Sequence, residues 1–156
     1  MKSPKTDLAI YIHWPFCKSK CPYCDFNSHV SEAIDHNQWK QAYIKEISHY
    51  ARKFDNRNVT SIFFGGGTPS LMRPEVVEEI INAITKYWKI SSQIEITLEA
   101  NPTSVEVEKL RAIKAAGVNR ISMGVQSFND KNLKFLGRGH SSEEAKSALR
   151  EVRRIY

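Results

Sequence analysis

Apolar positions along the chain follow two periods in alternation. Leu8-Ala-Ile-Tyr-Ile-His13 is a short apolar run of strand type, and the Cys-, Pro- and Lys-rich stretch after it, to about Val30, has no period. Trp39, Tyr43, Ile47, Tyr50 and Phe54 then recur at steps of four and three, predicting one face of an amphipathic helix. Val59–Phe64 reads as a second strand, ending abruptly in Gly65-Gly66-Gly67. Pro74 suits the first turn of a helix whose stripe is Val77, Ile80, Ile81, Ile84 and Trp88. Ile94–Leu98 is a third strand. Thr103 with Glu106 three residues on forms a capping box for a helix with Val107, Leu110 and Ile113 inward and Gly117 as its stop. Arg120–Val125 is a fourth strand, followed by a helical turn near Asn129–Leu136. Ser141 with Glu144 caps a last helix carrying Ala145, Ala148, Leu149, Val152 and Ile155 on one face.

This βα unit, repeated about four times, predicts an α/β fold with a parallel sheet and right-handed crossovers. Ligands in such sheets gather beyond the carboxyl ends of the strands. Polar and glycine-rich residues fall there each time: the cysteine loop, Gly65–Gly67, Glu99-Ala-Asn-Pro102 and Gln126-Ser-Phe128. The rhythm also predicts a fifth strand after the last helix, and the sequence finishes at Tyr156 before one.

A length of 156 residues sets an expectation of one domain, with enough chain to bury a core unaided. Hydrophobic residues at 41% and charged residues at 26% are ordinary for a soluble globular protein, and Gly 7 and Pro 6 are too few for a collagen-like or low-complexity chain. The net charge of +6 is dispersed. It therefore reads as solvated surface, including Lys146, Arg150, Arg153 and Arg154 of the last helix, and nucleic acid is not expected as a partner. Lys2 and Lys5 precede an apolar stretch, Leu8–Ile12, too short for a secretory signal, and no run is long enough to span a membrane. A cytoplasmic protein is expected.

Cysteine usage narrows the chemistry. All three cysteines, Cys17, Cys21 and Cys24, fall within eight residues. An odd, clustered set points to metal rather than to a disulfide framework. Three thiolates fit an iron–sulfur cubane with one iron left open. They also fit a structural zinc completed by His13 or His29, and free thiols are a third possibility. Pro15 and Pro22 stiffen the loop, and Lys18 and Lys20 offset negative charge. His36, His49 and His140 read as surface residues.

Other positions carry two readings each. Gly66, Gly67 and Thr68 allow close backbone approach to a ligand or make a plain tight turn, and no Walker lysine follows. Glu99 and Gln126 end strands, where each either meets a ligand or caps the next turn. Arg138, in Gly137-Arg-Gly139, is either solvated or brought to a carboxylate. Tyr11 shares a strand face with His13, as core or as ligand contact. Tyr23, between two cysteines, packs the loop or shields a bound group.

The segment Tyr11-Ile-His-Trp-Pro-Phe-Cys-Lys-Ser-Lys-Cys-Pro-Tyr-Cys-Asp-Phe-Asn-Ser28 resembles the cluster loop of radical S-adenosylmethionine (SAM) proteins. The subfamily it is similar to is that of oxygen-independent coproporphyrinogen III oxidases and the haem chaperones (HemW type) derived from them. Gly65-Gly-Gly-Thr-Pro69, Glu99, Gly124-Val-Gln-Ser-Phe128 and Leu136-Gly-Arg138 match it in order and spacing. The resemblance implies a [4Fe-4S] cluster on Cys17, Cys21 and Cys24. It implies SAM contacts from Tyr11, Tyr23, Gly66, Gly67, Thr68, Glu99, Gln126 and Arg138. The chemistry implied is reductive cleavage of SAM to methionine and a 5′-deoxyadenosyl radical, which needs an electron donor. Haem or another tetrapyrrole is the implied partner. The implied fold is an incomplete (β/α)6-type partial barrel, with residues 1–156 as the N-terminal part of the core domain and the closing strands and C-terminal domain absent. One position departs from the oxidase pattern: Phe26 stands where that branch has a further cysteine. The departure resembles the haem-chaperone branch and argues against decarboxylation. The competing readings are an oxidase-like oxidoreductase, a zinc module of three cysteines and one histidine, and a non-functional remnant.

Overall fold

The computed structural model describes residues 6–31, 33–104 and 107–156. Lys2, Lys5 and Glu106, the second half of the first expected capping box, lie outside them. The chain runs β1 (Leu8–Trp14), β2 (Phe16–Cys17), β3 (His29–Val30), α1 (His36–Lys53), β4 (Asn58–Gly66), α2 (Pro74–Tyr87), β5 (Lys89–Ala100), α3 (Val107–Ala115), β6 (Arg120–Met123), α4 (Asp130–Phe135) and α5 (Ser142–Ile155).

The main sheet has the order β1-β4-β5-β6, and every pairing is parallel. Each new strand is added to the same side of the last. With right-handed crossovers, that order puts the connecting helices on one face of the sheet, as in a barrel rather than a doubly wound sheet. The core follows from it. Ile12 and Trp14, Ile62 and Phe64, and Ile96 and Leu98 alternate toward the helices. They meet Ile47 of α1, Val77, Ile80 and Ile84 of α2, and Ile113 of α3. Cutting the fully buried Leu98 back to alanine costs about 2–5 kcal/mol in such a core. The other face carries Tyr11, Phe63, Thr97 and Arg120 side by side in one row across the four strands.

Local signals act as expected at several ends. Asp35 caps α1 by accepting from the backbone N–H groups of Asn37 and Gln38 at 3.0 Å. Pro74 opens α2, and Gly117, at φ 110°, turns the chain out of α3. The Ser141–Glu144 capping box is formed at α5.

Four expectations are corrected. The third strand begins at Lys89, not Ile94, because Asn58 and Val59 pair with Lys89 and Ile90. The pairing then slips, from Val59 opposite Ile90 to Ser61 opposite Glu95. The bulged Ser91-Ser-Gln93 is polar and shows no alternation. The fourth strand stops at Met123, short of Val125, because the Val125 N–H turns back onto the Met123 carbonyl at 3.0 Å, and Gln126 beyond it takes a left-handed conformation at φ 69°. On α1 the buried line runs through Ile47 to Ala51, while Tyr50 and Phe54 are exposed. β1 is the sheet edge, so both rings overhang it and stack on each other, with centroids 6.1 Å apart. Finally, His140 is buried rather than on the surface, its Nε2 paired with the Val125 carbonyl at 3.1 Å.

Candidate metal and cofactor site

The carboxyl ends of all four main strands open on one side. There a cavity of about 360 Å³ is walled by the cysteine loop, the Gly66–Thr68 turn, Glu99 to Asn101, Ser122 to Gly124, Gln126 and Arg138.

Short backbone links hold the cysteine loop in place. The His29 N–H donates to the Pro15 carbonyl at 2.7 Å, and Phe16 and Cys17 pair in parallel with His29 and Val30. The loop is thus closed at its neck by two-residue strands. Inside it, the Cys24 N–H turns back to the Cys21 carbonyl at 3.0 Å. All three cysteines are free, partly buried and on the cavity wall. Among the described residues no three His, Cys, Asp or Glu side chains stand in a metal-holding group. The cavity wall holds no histidine. His13 is committed elsewhere, its Nε2 on the Asn27 carbonyl at 2.9 Å, and His29 is exposed. Neither histidine that the zinc alternative calls on is therefore on the wall with the cysteines.

The glycine turn after β4 is pressed onto the start of this loop. The Gly67 N–H reaches the Trp14 carbonyl at 2.6 Å and the Thr68 N–H reaches that of Phe16 at 2.8 Å. A Cβ on Gly67 would sit 2.5 Å from the Phe16 carbonyl oxygen. One on Gly66, at φ 107°, would sit 2.6 Å from His13 Nδ1. The glycines are needed for this close approach, which also turns the Gly66 N–H toward Glu99 Oε2 at 3.2 Å. Burial pushes the Glu99 carboxyl above its ordinary value, opposed by that hydrogen bond.

Arg138 is not solvated. From Nη1 it donates to Cys21 Sγ at 3.2 Å and to the Tyr23 hydroxyl at 3.3 Å. From Nη2 it donates to the Gly124 carbonyl at 2.7 Å and to Asn101 Oδ1. One guanidinium thus joins the cysteine loop to the ends of β5 and β6. Burial raises the Tyr23 phenol's pKa, against the pull of Arg138.

Of the residues expected here from sequence, the three cysteines, Tyr23, Gly66, Gly67, Thr68, Glu99, Gln126 and Arg138 line the one cavity. Tyr11 does not. Its ring stacks on Phe63 at 6.0 Å and lies against Gly65. Burial and the negative charge of Glu99 both push its phenol up. Phe26, Ser28, Asn101, Ser122 and Met123 also line the cavity. None of the five is marked as a ligand contact by its sequence alone, although Phe26, Ser28 and Asn101 stand inside loops that are.

Two buried polar atoms of cavity-lining residues have no hydrogen-bond partner among the described residues: Ser28 Oγ and Arg138 Nε. Buried polar groups are normally satisfied. Three thiols, no fourth thiol or imidazole, and unpartnered donors on the same wall suit a metal–sulfur group that keeps one position open.

Residues 11–156 match the radical SAM superfamily. Heme chaperone HemW of Haemophilus influenzae is 45% identical over 147 residues, which is 91% of this chain and 38% of that protein. Radical S-adenosyl methionine domain-containing protein 1, mitochondrial, of Bos taurus is 41% identical over 148 residues, 95% of this chain and 34% of that protein. Among solved structures, coproporphyrinogen III oxidase (HemN) from Escherichia coli, a radical SAM enzyme, superposes with a TM-score of 0.87 at 30% identity. The match covers 99% of this chain and 36% of that one. The chain spans between 34% and 40% of the length of the curated relatives it matches.

Proposed function

The chain belongs to the radical SAM superfamily, and on that ground we propose that it forms the cofactor-holding, N-terminal part of the core of a haem-binding and haem-transferring protein. Cys17, Cys21 and Cys24 would hold a [4Fe-4S] cluster. The backbone of Gly66, Gly67 and Thr68, with Tyr23, Glu99, Gln126 and Arg138, would hold SAM. Tyr11 stays in this set by resemblance, within electrostatic reach of Glu99. When bound and reduced by an external electron donor, the two cofactors supply one-electron chemistry at the sulfonium. The protein's own residues shape the pocket. Arg138 fixes the cysteine loop against β6, the glycine turn brings backbone donors to the wall, and the partly buried Glu99 offers a carboxylate to amine or hydroxyl groups.

The observation that carries this reading is the wall itself, three thiols of one loop with no histidine among them. The haem-chaperone branch is favoured over the oxidase branch by the higher identity to the former. It is also favoured by Phe26, an exposed side chain on the cavity rim where the oxidase pattern has cysteine. No helix among the described residues is long and apolar enough to cross a membrane. Three unpaired cysteines suit a reducing compartment, the cytoplasm in this proposal.

The test is anaerobic reconstitution followed by haem titration. The expected product is brown, with about four irons and four sulfides per chain. It binds haem stoichiometrically and does not consume coproporphyrinogen. Stoichiometric zinc without charge-transfer absorption would overturn the cluster reading. Coproporphyrinogen turnover would move the chain to the oxidase branch.

A further inference from the structure

Ser28 is built into the cavity wall with nothing to bond. It is 5% exposed, and its hydroxyl has no partner among the described residues. It shares the wall with all three cysteines. Its backbone is held on both sides. The preceding carbonyl, of Asn27, takes the His13 ring at 2.9 Å, and the following N–H, of His29, is bound to Pro15. The Ser28 carbonyl itself takes Lys20 Nζ at 3.5 Å. The pairing of Phe16 and Cys17 with His29 and Val30 locks the same stretch to the strand that carries the first cysteine. The backbone at Ser28 is therefore fixed, with its hydroxyl buried on the wall.

Its neighbours decide what the hydroxyl meets. A serine can donate one hydrogen bond, whereas a lysine ammonium has only donors. Lys20 thus offers Ser28 no acceptor. The Glu99 carboxylate on the same wall belongs to the end of β5 and not to the cysteine loop, and its Oε2 accepts from Gly66. Of the cysteine-loop side chains that share the wall with Ser28, only the three sulfurs become anionic acceptors on binding a metal, and the Asp25 carboxylate is not on that wall. We propose that Ser28 is a tuning residue for the cluster, its hydroxyl donating to a thiolate or sulfide sulfur of the group held by Cys17, Cys21 and Cys24. This rests on the cluster reading given above. Hydrogen bonds to the sulfurs are among the determinants of cluster potential. A donor there favours the more negatively charged, reduced state and so raises the potential.

The experiment compares the reconstituted chain with Ser28→Ala and Ser28→Thr by iron and sulfide content and by potentiometric titration monitored by electron paramagnetic resonance, with SAM absent and then present. Ser28→Ala is expected to keep its iron and shift the SAM-free cluster to a more negative potential. Ser28→Thr, which restores the hydroxyl, returns it toward the original value. Full iron with an unchanged potential in Ser28→Ala overturns the proposal. So does an effect confined to SAM affinity. If Ser28→Ala loads poorly, Ser28→Gly is added. Loss in both with retention in Ser28→Thr supports the hydroxyl's role, and loss in all three assigns Ser28 a purely steric one. Failure of the unsubstituted chain to hold iron removes the cluster reading and this proposal with it, and the iron assay alone reports that case.

Discussion

Arg138 Nη1 lies 3.2 Å from the sulfur of Cys21, a contact made across 117 positions of sequence. Its other donors go to Tyr23, Gly124 and Asn101, so one side chain pins three loops around the cavity. A lysine keeps the charge but replaces the planar fork with a compact ammonium that cannot reproduce this pattern. Arg138→Ala is expected to lose about 2 kcal/mol of unfolding free energy, given the usual worth of hydrogen bonds from a charged group. Arg138→Lys should recover less than half of that. Urea denaturation measures both, and an Ala variant as stable as the original would mean that the guanidinium is effectively solvated.

The donor set makes a separate prediction. Replacing Cys17, Cys21 or Cys24 singly by alanine should abolish the charge-transfer absorption of the reconstituted chain, while His29→Ala leaves iron content unchanged. His29 is exposed and off the cavity wall, so only a zinc site would need it. Parallel iron and zinc analysis of the four variants decides. Dependence on His29, with zinc bound, would reverse the assignment.

The two periods of the sequence made most of the fold legible, because each strand core and helix stripe repeats over several residues. What stayed hidden had no period. The polar Ser91-Ser-Gln93 segment concealed the first half of β5, which is held by pairing to Asn58 and Val59 rather than by its own pattern. Two-residue strands such as Phe16–Cys17 and His29–Val30 are too short to show any alternation, yet their pairing closes the cysteine loop. The site residues that stand in marked loops, Glu99 and Gly66 among them, were readable as candidates. The pinning by Arg138 was not, because its partners come from loops far apart in the chain. His140 likewise gave no local sign of burial, since its partner is a backbone carbonyl, that of Val125.

The glycine turn offers an internally controlled test of packing. A Cβ on Gly67 would lie 2.5 Å from the Phe16 carbonyl oxygen and 2.9 Å from two further Phe16 backbone atoms. Backbone tied into the loop neck cannot step aside as a side-chain tip would. Gly67→Ala should therefore destabilise by about 1–3 kcal/mol, as overpacking does. Around Gly139 nothing lies within 4 Å of the added carbon. Gly139→Ala should be neutral or stabilise by up to about 1 kcal/mol, by restricting the unfolded chain. Urea midpoints of the two variants give the comparison, and equal midpoints would contradict the close approach at Phe16.

Glu99 links stability to pH, and the sign follows from its surroundings. Burial is the larger influence and raises its carboxyl above the ordinary 4.5, while the Gly66 N–H bond lowers it in part. The folded chain thus keeps a proton that the unfolded chain releases. Between the ordinary value and the raised one, unfolding releases protons, so stability falls as pH rises. Below 4.5 both states are protonated and the penalty is absent. Above the raised value it is complete and constant. Glu99→Gln cannot ionise, so its stability advantage over the original chain should grow from pH 4.5 upward and then level off, as read from urea midpoints at a series of pH values. A difference that stays flat would mean that Glu99 titrates alike in both states. The same substitution should weaken SAM binding in the reconstituted chain, because a neutral amide replaces the carboxylate that would meet the ligand's amine or hydroxyl groups. A residue that costs the fold stability at neutral pH and strengthens ligand binding has its reason in the ligand. If Glu99→Gln were more stable and bound SAM equally well, the carboxylate would be serving only the Gly66 turn.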